Sequence, residues 1–189
     1  AVVDVGRLRQ LEQQAHEAYQ AAARALSLQR AKAAPKLSRA ITQAMQGLGM
    51  QGGRFEVQLD KLAEPSPSGL DAVQFLVAGH PGATPRAIGK VASGGELSRL
   101  SLAIAVTTSE LGQADTLIFD EVDAGVGGAV AETVGKLMRA LGRDRQVLAV
   151  THLPQVAACA DHHYVVAKRR DKAATTSSVT SVQDTDRVQ

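Results

Sequence analysis

The sequence predicts an α/β fold whose sheet is largely parallel and flanked by helices, with a coiled-coil-like helix in front of it. Three observations carry that prediction. Two short apolar runs, Thr116–Asp120 and Gln146–Val150, alternate with helical segments, the mark of parallel strands covered on both faces. Residues 94–111 and 127–141 have helical patterning on either side of the first run. The leading segment repeats small apolar residues at spacings of three and four.

Taken in order, residues 4–30 read as a helix. Leu8, Leu11, Ala15, Ala18, Ala22 and Ala25 form a heptad-like seam in which alanines bury little area. Such a seam fits the end of a coiled-coil arm over residues 1–30, or a surface helix of an ordinary domain. Pro35 marks a second helical start, with Leu37, Ile41, Met45 and Leu48 on one face until Gly47 and Gly49. Phe55–Leu59 alternates strictly, and Val73, Phe75 and Val77 alternate again after the breakers Pro65, Pro67 and Gly69. Residues 54–78 are therefore expected to be an antiparallel pair. Beyond the two apolar runs, 153–160 reads as a short helix and 163–167 as a further strand. The tail after Arg169 is polar, with Val179 and Val182 suiting an edge strand.

Composition narrows the function classes. With 21 Lys and Arg against 19 Asp and Glu, the net charge of +2 is too near neutral for a purely electrostatic nucleic-acid binder. Five aromatic residues offer few stacking platforms for single-stranded bases. One cysteine, Cys159, excludes a disulfide framework and fits a reducing compartment. No apolar run approaches the roughly 20 residues of a spanning helix, and the first residues do not read as a signal peptide. The expectation is a cytoplasmic protein or fragment with no membrane partner.

Three segments place chemistry where an α/β sheet would use it, at the carboxyl ends of strands. Ser93-Gly94-Gly95-Glu96 opens a helix: the serine can cap it, and the glycines leave backbone N–H groups accessible to an anion. Asp120 and Glu121 end an apolar strand. Adjacent strand residues point to opposite sides, so one can hold magnesium through water while the other orients or deprotonates an attacking water. Thr151 and His152 end the next apolar strand, where an imidazole could meet a phosphate or a water. Taken singly, each has a plain reading as a helix cap, a solvated acid pair or a structural histidine. His162 and His163 are adjacent and make a poor metal pair.

The order and separation of the three segments resemble the ATP-binding-cassette class of P-loop NTPases. Ser93–Glu96 resemble the signature motif, Leu117–Glu121 the Walker B strand, Val122–Gly125 the D-loop and His152 the switch histidine. Asp-Glu-Val-Asp after the strand and Glu96 after the glycines lean towards the chromosome-maintenance (SMC-like) branch rather than transporters. A nearer resemblance, over about residues 26–168, is to the RecN family of bacterial DNA repair proteins. It is carried by Leu48-Gly49-Met50, Gly53-Arg54-Phe55, Lys90–Arg99, Phe119–Asp123 with Gly125 and Gly128, and Thr151–Ala157.

That resemblance implies the C-terminal lobe of an ATPase head over residues 31–189, with ATP and Mg2+ as cofactors. It implies Asp120 as a magnesium ligand through water, and Glu121 and His152 as the catalytic pair. Ser93, Gly94, Gly95 and Glu96 would bind the nucleotide of an opposing head, and Asp123 would link the two sites. Lys90 and Arg99 flank the signature and could sense it, beside the plainer reading as solvated bases. The implied partners are the N-terminal half of the same head, a second head in an ATP-dependent homodimer, and DNA in a nucleoid setting. A Walker A loop needs Gly, four residues, Gly, Lys, then Ser or Thr. Neither Gly89-Lys90 nor Gly135-Lys136 qualifies, because Thr84 and Val130 stand at the first position and Val91 and Leu137 follow the lysines. The chain alone is therefore expected not to turn over ATP. The competing expectations are a non-catalytic scaffold or coiled-coil interaction lobe, and a fragment of a transporter ATPase.

Overall fold

The computed structural model describes residues 4–91, 93–109, 111, 114–170 and 175–183. The expectations for Ala92, Glu110 and the ends of the tail lie outside those residues. The chain divides into two compact units: residues 1–43 with 52–90, and residues 44–51 with 91–189.

The first unit is built on helix α1 (Val5–Gln46), whose last turn passes into the second unit. The helix runs unbroken through Pro35, where the sequence predicts a new start. A proline inside a helix costs about 3 kcal/mol, because it removes an N–H and crowds the preceding turn. Tertiary anchors on both sides of it override that cost. Before it, the Ser27 hydroxyl donates to Asp71 Oδ2 at 2.5 Å and Tyr19 donates to the Ser66 carbonyl at 2.8 Å. After it, the Phe55 amide donates to Thr42 Oγ1 at 2.9 Å and the Val57 amide to Ser38 Oγ at 2.9 Å. The hydroxyls one turn apart thus satisfy backbone donors of β1 (Arg54–Ser66).

Strand β1 pairs antiparallel with β2 (Gly69–Ala78), as the alternation predicts, and β2 pairs with a two-residue β3 (Arg86–Ala87). The register puts Phe55 opposite Val77 and Val57 opposite Phe75, so one face is continuously apolar. The rings of Phe55 and Phe75 lie 5.6 Å apart at 36°. The seam residues Leu8 and Leu11 are about half exposed, at 53% and 51%.

The second unit holds α2 (Gly94–Thr107), β4 (Thr116–Phe119), α3 (Gly128–Leu141), β5 (Gln146–Ala149) and α4 (Pro154–Ala157). Strands β4 and β5 are parallel and in register from Thr116↔Gln146 to Phe119↔Ala149. Helix α3 packs closely on the segment of α4, where Gly135 leaves room for Cys159 and Val156. The third expected parallel strand is placed differently. Residues His163–Arg170 form β6, which pairs antiparallel with β7 (Thr175–Val182) rather than joining β4 and β5. A two-strand hairpin closes locally, whereas a third parallel strand needs a crossover.

The expectation that β4 and β5 are buried on both faces also fails. Ile118 and Val150 are 70% and 63% exposed and Leu148 is 46% exposed, while Phe119 on the other face is buried. Among the described residues, no helix is long and apolar enough to cross a membrane.

Candidate nucleotide site

Parallel pairing sets the site. Because β4 and β5 run the same way in register, Asp120-Glu121 and Thr151-His152 emerge from the same end of the sheet. Asp120 and Glu121 are both exposed. Glu121 has φ +55°, a left-handed conformation that a side chain with a Cβ adopts only at a cost, of order 1 kcal/mol or more. It begins a tight turn, with the Ala124 amide donating to the Glu121 carbonyl at 3.0 Å and the Val126 amide to the Asp123 carbonyl at 3.3 Å.

Helix α2 meets that turn. Ser93 is its cap, with extended backbone, and Oγ accepts from the Glu96 amide at 3.4 Å. The absence of a Cβ at Gly94 lets the Glu121 carboxylate approach, for a Cβ there would lie 2.5 Å from Oε2. Gly95 is buried, and a Cβ on it would lie 2.9 Å from the Ala124 carbonyl oxygen. Ser98 Oγ donates to the Asp120 carbonyl at 2.5 Å, and Arg99 Nη1 donates to the Ala124 carbonyl at 2.6 Å. The glycine-opened helix end and the acidic strand end are thus fastened together within one lobe.

Arg99 departs from its expected role as a solvated base. It is 6% exposed, and burial lowers its pKa against the raising effect of the Glu96 charge. The signal was in the helical period: Gly95, Arg99, Leu102 and Ala103 share the buried face of α2. Lys90 is exposed, as expected, in the 3-10 turn Ile88–Lys90 of the first unit.

Asp123, expected to link two nucleotide sites across a dimer, is 1% exposed in the lobe. Its Oδ2 accepts from the Thr151 hydroxyl, from the His152 amide at 3.0 Å and from the Leu153 amide at 3.3 Å. His152 Nδ1 lies 3.4 Å from the same oxygen, with its ring largely exposed. Burial pushes the Asp123 carboxyl up, but the Thr151 hydroxyl, the His152 amide and the imidazole outweigh it and hold the group below its usual range. Among the described residues no group of three or more His, Cys, Asp or Glu side chains is arranged to enclose a metal.

The chain resembles known proteins over most of its length. It is 50% identical over 149 residues to the DNA repair protein RecN of Xylella fastidiosa, covering 78% of this chain and 27% of that protein. It is 44% identical over 174 residues to RecN of Vibrio cholerae, covering 92% of this chain and 31% of that protein. No family model matches. Among solved structures, the Smc head domain with a coiled coil and joint from Pyrococcus yayanosii aligns at TM-score 0.59 and 22% identity, over 80% of this chain and 28% of that one. The Smc head domain with an extended coiled coil from Pyrococcus furiosus, bound to the C-terminal domain of ScpA, aligns at TM-score 0.52 and 21% identity, over 77% of this chain and 34% of that one. The fold is therefore that of SMC-type head domains. With 50% identity over 149 aligned residues to one RecN relative, and a span of under a third of the relatives' length, the chain belongs to the RecN family of DNA repair proteins.

Proposed function

We propose that this chain is the signature-bearing, C-terminal lobe of an ATPase head that hydrolyses ATP at a head–head dimer interface during DNA double-strand break repair and recombination. One observation supports this above the rest. The in-register β4–β5 pair delivers two carboxylates and an imidazole to the same sheet end, beside the glycine-opened N-terminus of α2. The DNA-repair part of the reading rests on the relatives, since neither net charge nor aromatic content supplies it.

In this reading Asp120 would hold Mg2+ through water, and the ion, when bound, would supply charge neutralisation to the phosphates. Glu121 orients the attacking water and accepts its proton. His152 contacts the terminal phosphate from the end of β5. Ser93, Gly94, Gly95 and Glu96 form the α2 terminus offered to the nucleotide of the opposing head, where a helix dipole and free N–H groups favour an anion. The phosphate-cradling loop that residues 1–189 lack belongs to the N-terminal half of the same head. Such division makes dimerisation depend on ATP, because its charge is met only when the second helix terminus arrives.

The test uses two samples. Residues 1–189 alone are expected to show no magnesium-dependent ATPase above background. Joined to the N-terminal half, Glu121→Gln should retain nucleotide binding, lose turnover by at least about 100-fold as expected for removal of a general base, and accumulate as an ATP-bound dimer. Parental turnover in that variant would remove Glu121 from the reaction.

A further inference from the structure

We propose that Asp123 is the positioning residue for His152, acting from inside the lobe to fix the imidazole with a proton on Nδ1 and Nε2 directed outward. The inference rests on the reading of His152 as a phosphate-facing group and adds to it the device that aims the ring.

Three features carry it. First, Asp123 is almost wholly buried at 1% exposure, and its Oδ2 collects donors from the turn that ends β5: the Thr151 hydroxyl and the amides of His152 and Leu153. A buried carboxylate persists where donors satisfy it, and these donors come from three consecutive residues. The carboxylate therefore determines where position 152 leaves the strand. Second, the ring itself turns towards the same oxygen, with Nδ1 at 3.4 Å, although most of the side chain is in solvent. A carboxylate accepts and cannot donate, so the nitrogen that faces it carries the proton in both the neutral and the charged ring. Nε2 is then the atom whose proton can change, and it lies on the far side of the ring. Third, the turn is braced. Thr151 Oγ1 also accepts from the Leu153 amide at 3.1 Å while its proton goes to Asp123. The Val126 amide holds the Asp123 carbonyl at 3.3 Å, fixing the loop from the opposite side. The loop after β4 and the end of β5 thereby share one buried oxygen, so Glu121 and His152 are referenced to a common anchor.

The test is made on the complete protein, with His152→Ala as reference. Selective 15N labelling of histidine, assigned by the signal missing in His152→Ala, reads the tautomer directly. In its neutral form the wild-type His152 should show a protonated Nδ1 and a bare Nε2, and Asp123→Asn should show a mixture of the two tautomers. Asp123→Asn should lower kcat roughly 10- to 100-fold, the usual effect of losing a residue that orients a functional imidazole. Binding of a non-hydrolysable ATP analogue should change less than about two-fold. In the His152→Ala background the same substitution should cost no further turnover, because its effect passes through the missing ring.

Additive losses in the double variant, or an unchanged tautomer in Asp123→Asn, would overturn the proposal and leave the Glu121 reading standing. A wild-type His152 protonated on Nε2 alone would overturn it without any variant, even if Asp123→Asn fails to fold. If His152→Ala keeps parental turnover, the proposal falls together with the phosphate-facing role of that histidine. Glu121→Gln then reports separately on the rest of the site.

Discussion

Gly94 and Gly95 are neighbours, yet their missing Cβ atoms face different obstacles. At Gly94 the obstacle is the tip of Glu121, an exposed side chain that can swing aside. At Gly95 it is the backbone carbonyl oxygen of Ala124 at 2.9 Å, backed by the Ala124 Cβ at 3.0 Å and Arg99 Nη1 at 3.1 Å. Backbone cannot yield so cheaply. Gly95→Ala should destabilise the chain by about 1–3 kcal/mol, the cost of overpacking, whereas Gly94→Ala should stay within about 0.5 kcal/mol. Urea unfolding of both variants checks this, and equal losses would contradict the contact. Ser93 separates a trans role from a local one. As a cap it contributes only about 1 kcal/mol, so Ser93→Arg should leave a folded lobe and intact nucleotide binding by the complete head. Light scattering with a non-hydrolysable analogue should then show no dimer. A dimer of normal affinity would reduce Ser93 to a helix cap.

At the scale of elements, the close contact between α3 and the α4 segment carries a prediction. Gly135 lies on the buried face of α3, and a Cβ there would sit 2.8 Å from Cys159 Sγ, 2.9 Å from its Cβ and 3.2 Å from Val156 Cα. Gly135→Ala would gain helix propensity of up to about 1 kcal/mol, but it must push a packed backbone away. The net expectation is a loss of about 1–2 kcal/mol, read as a lower denaturation midpoint. Combining it with Cys159→Ala, which removes Sγ and leaves the nearby Cβ, should recover part of that loss. The same helix could be read from sequence almost to the residue, 127–141 expected against Gly128–Leu141 observed, because its apolar period is uninterrupted. Helix α1 could not. Its proline reads as a boundary, and bonds made by Tyr19, Ser27, Ser38 and Thr42 to residues far along the chain carry the helix through.

For the molecule as a whole, one face of β4 and β5 is apolar and open to solvent, in a chain that spans under a third of its relatives. Ile118, Leu148 and Val150 lie on that one face, and each contributes apolar area that water contacts in residues 1–189. The head reading assigns its cover to the N-terminal half. Residues 1–189 alone should bind an apolar fluorescent dye and self-associate, and adding the N-terminal half should suppress both. Ile118→Ser should reduce dye binding by the chain alone and weaken its union with the other half. If the added half leaves dye binding unchanged, some other surface covers these strands.

What the sequence determined by itself is local and periodic. The positions of the β1–β2 pair, of α2 and α3, and of the two short parallel strands follow from apolar spacing and from glycine and proline punctuation. The same spacing put Ser93, Gly94, Asp120, Glu121 and His152 at element ends, because capping residues and strand-terminal polar groups are local features. Tertiary structure decided whatever depends on residues distant in the chain. It turned Arg99 inward to the Ala124 carbonyl and buried Asp123 beneath the Thr151–Leu153 turn. It also sent β6 to pair with β7 and left one face of β4 and β5 bare. The physical reason is common to all of these. A charged side chain's burial and a strand's choice of neighbour depend on which donors and apolar faces the fold brings near. Periodicity along one segment carries no information about that.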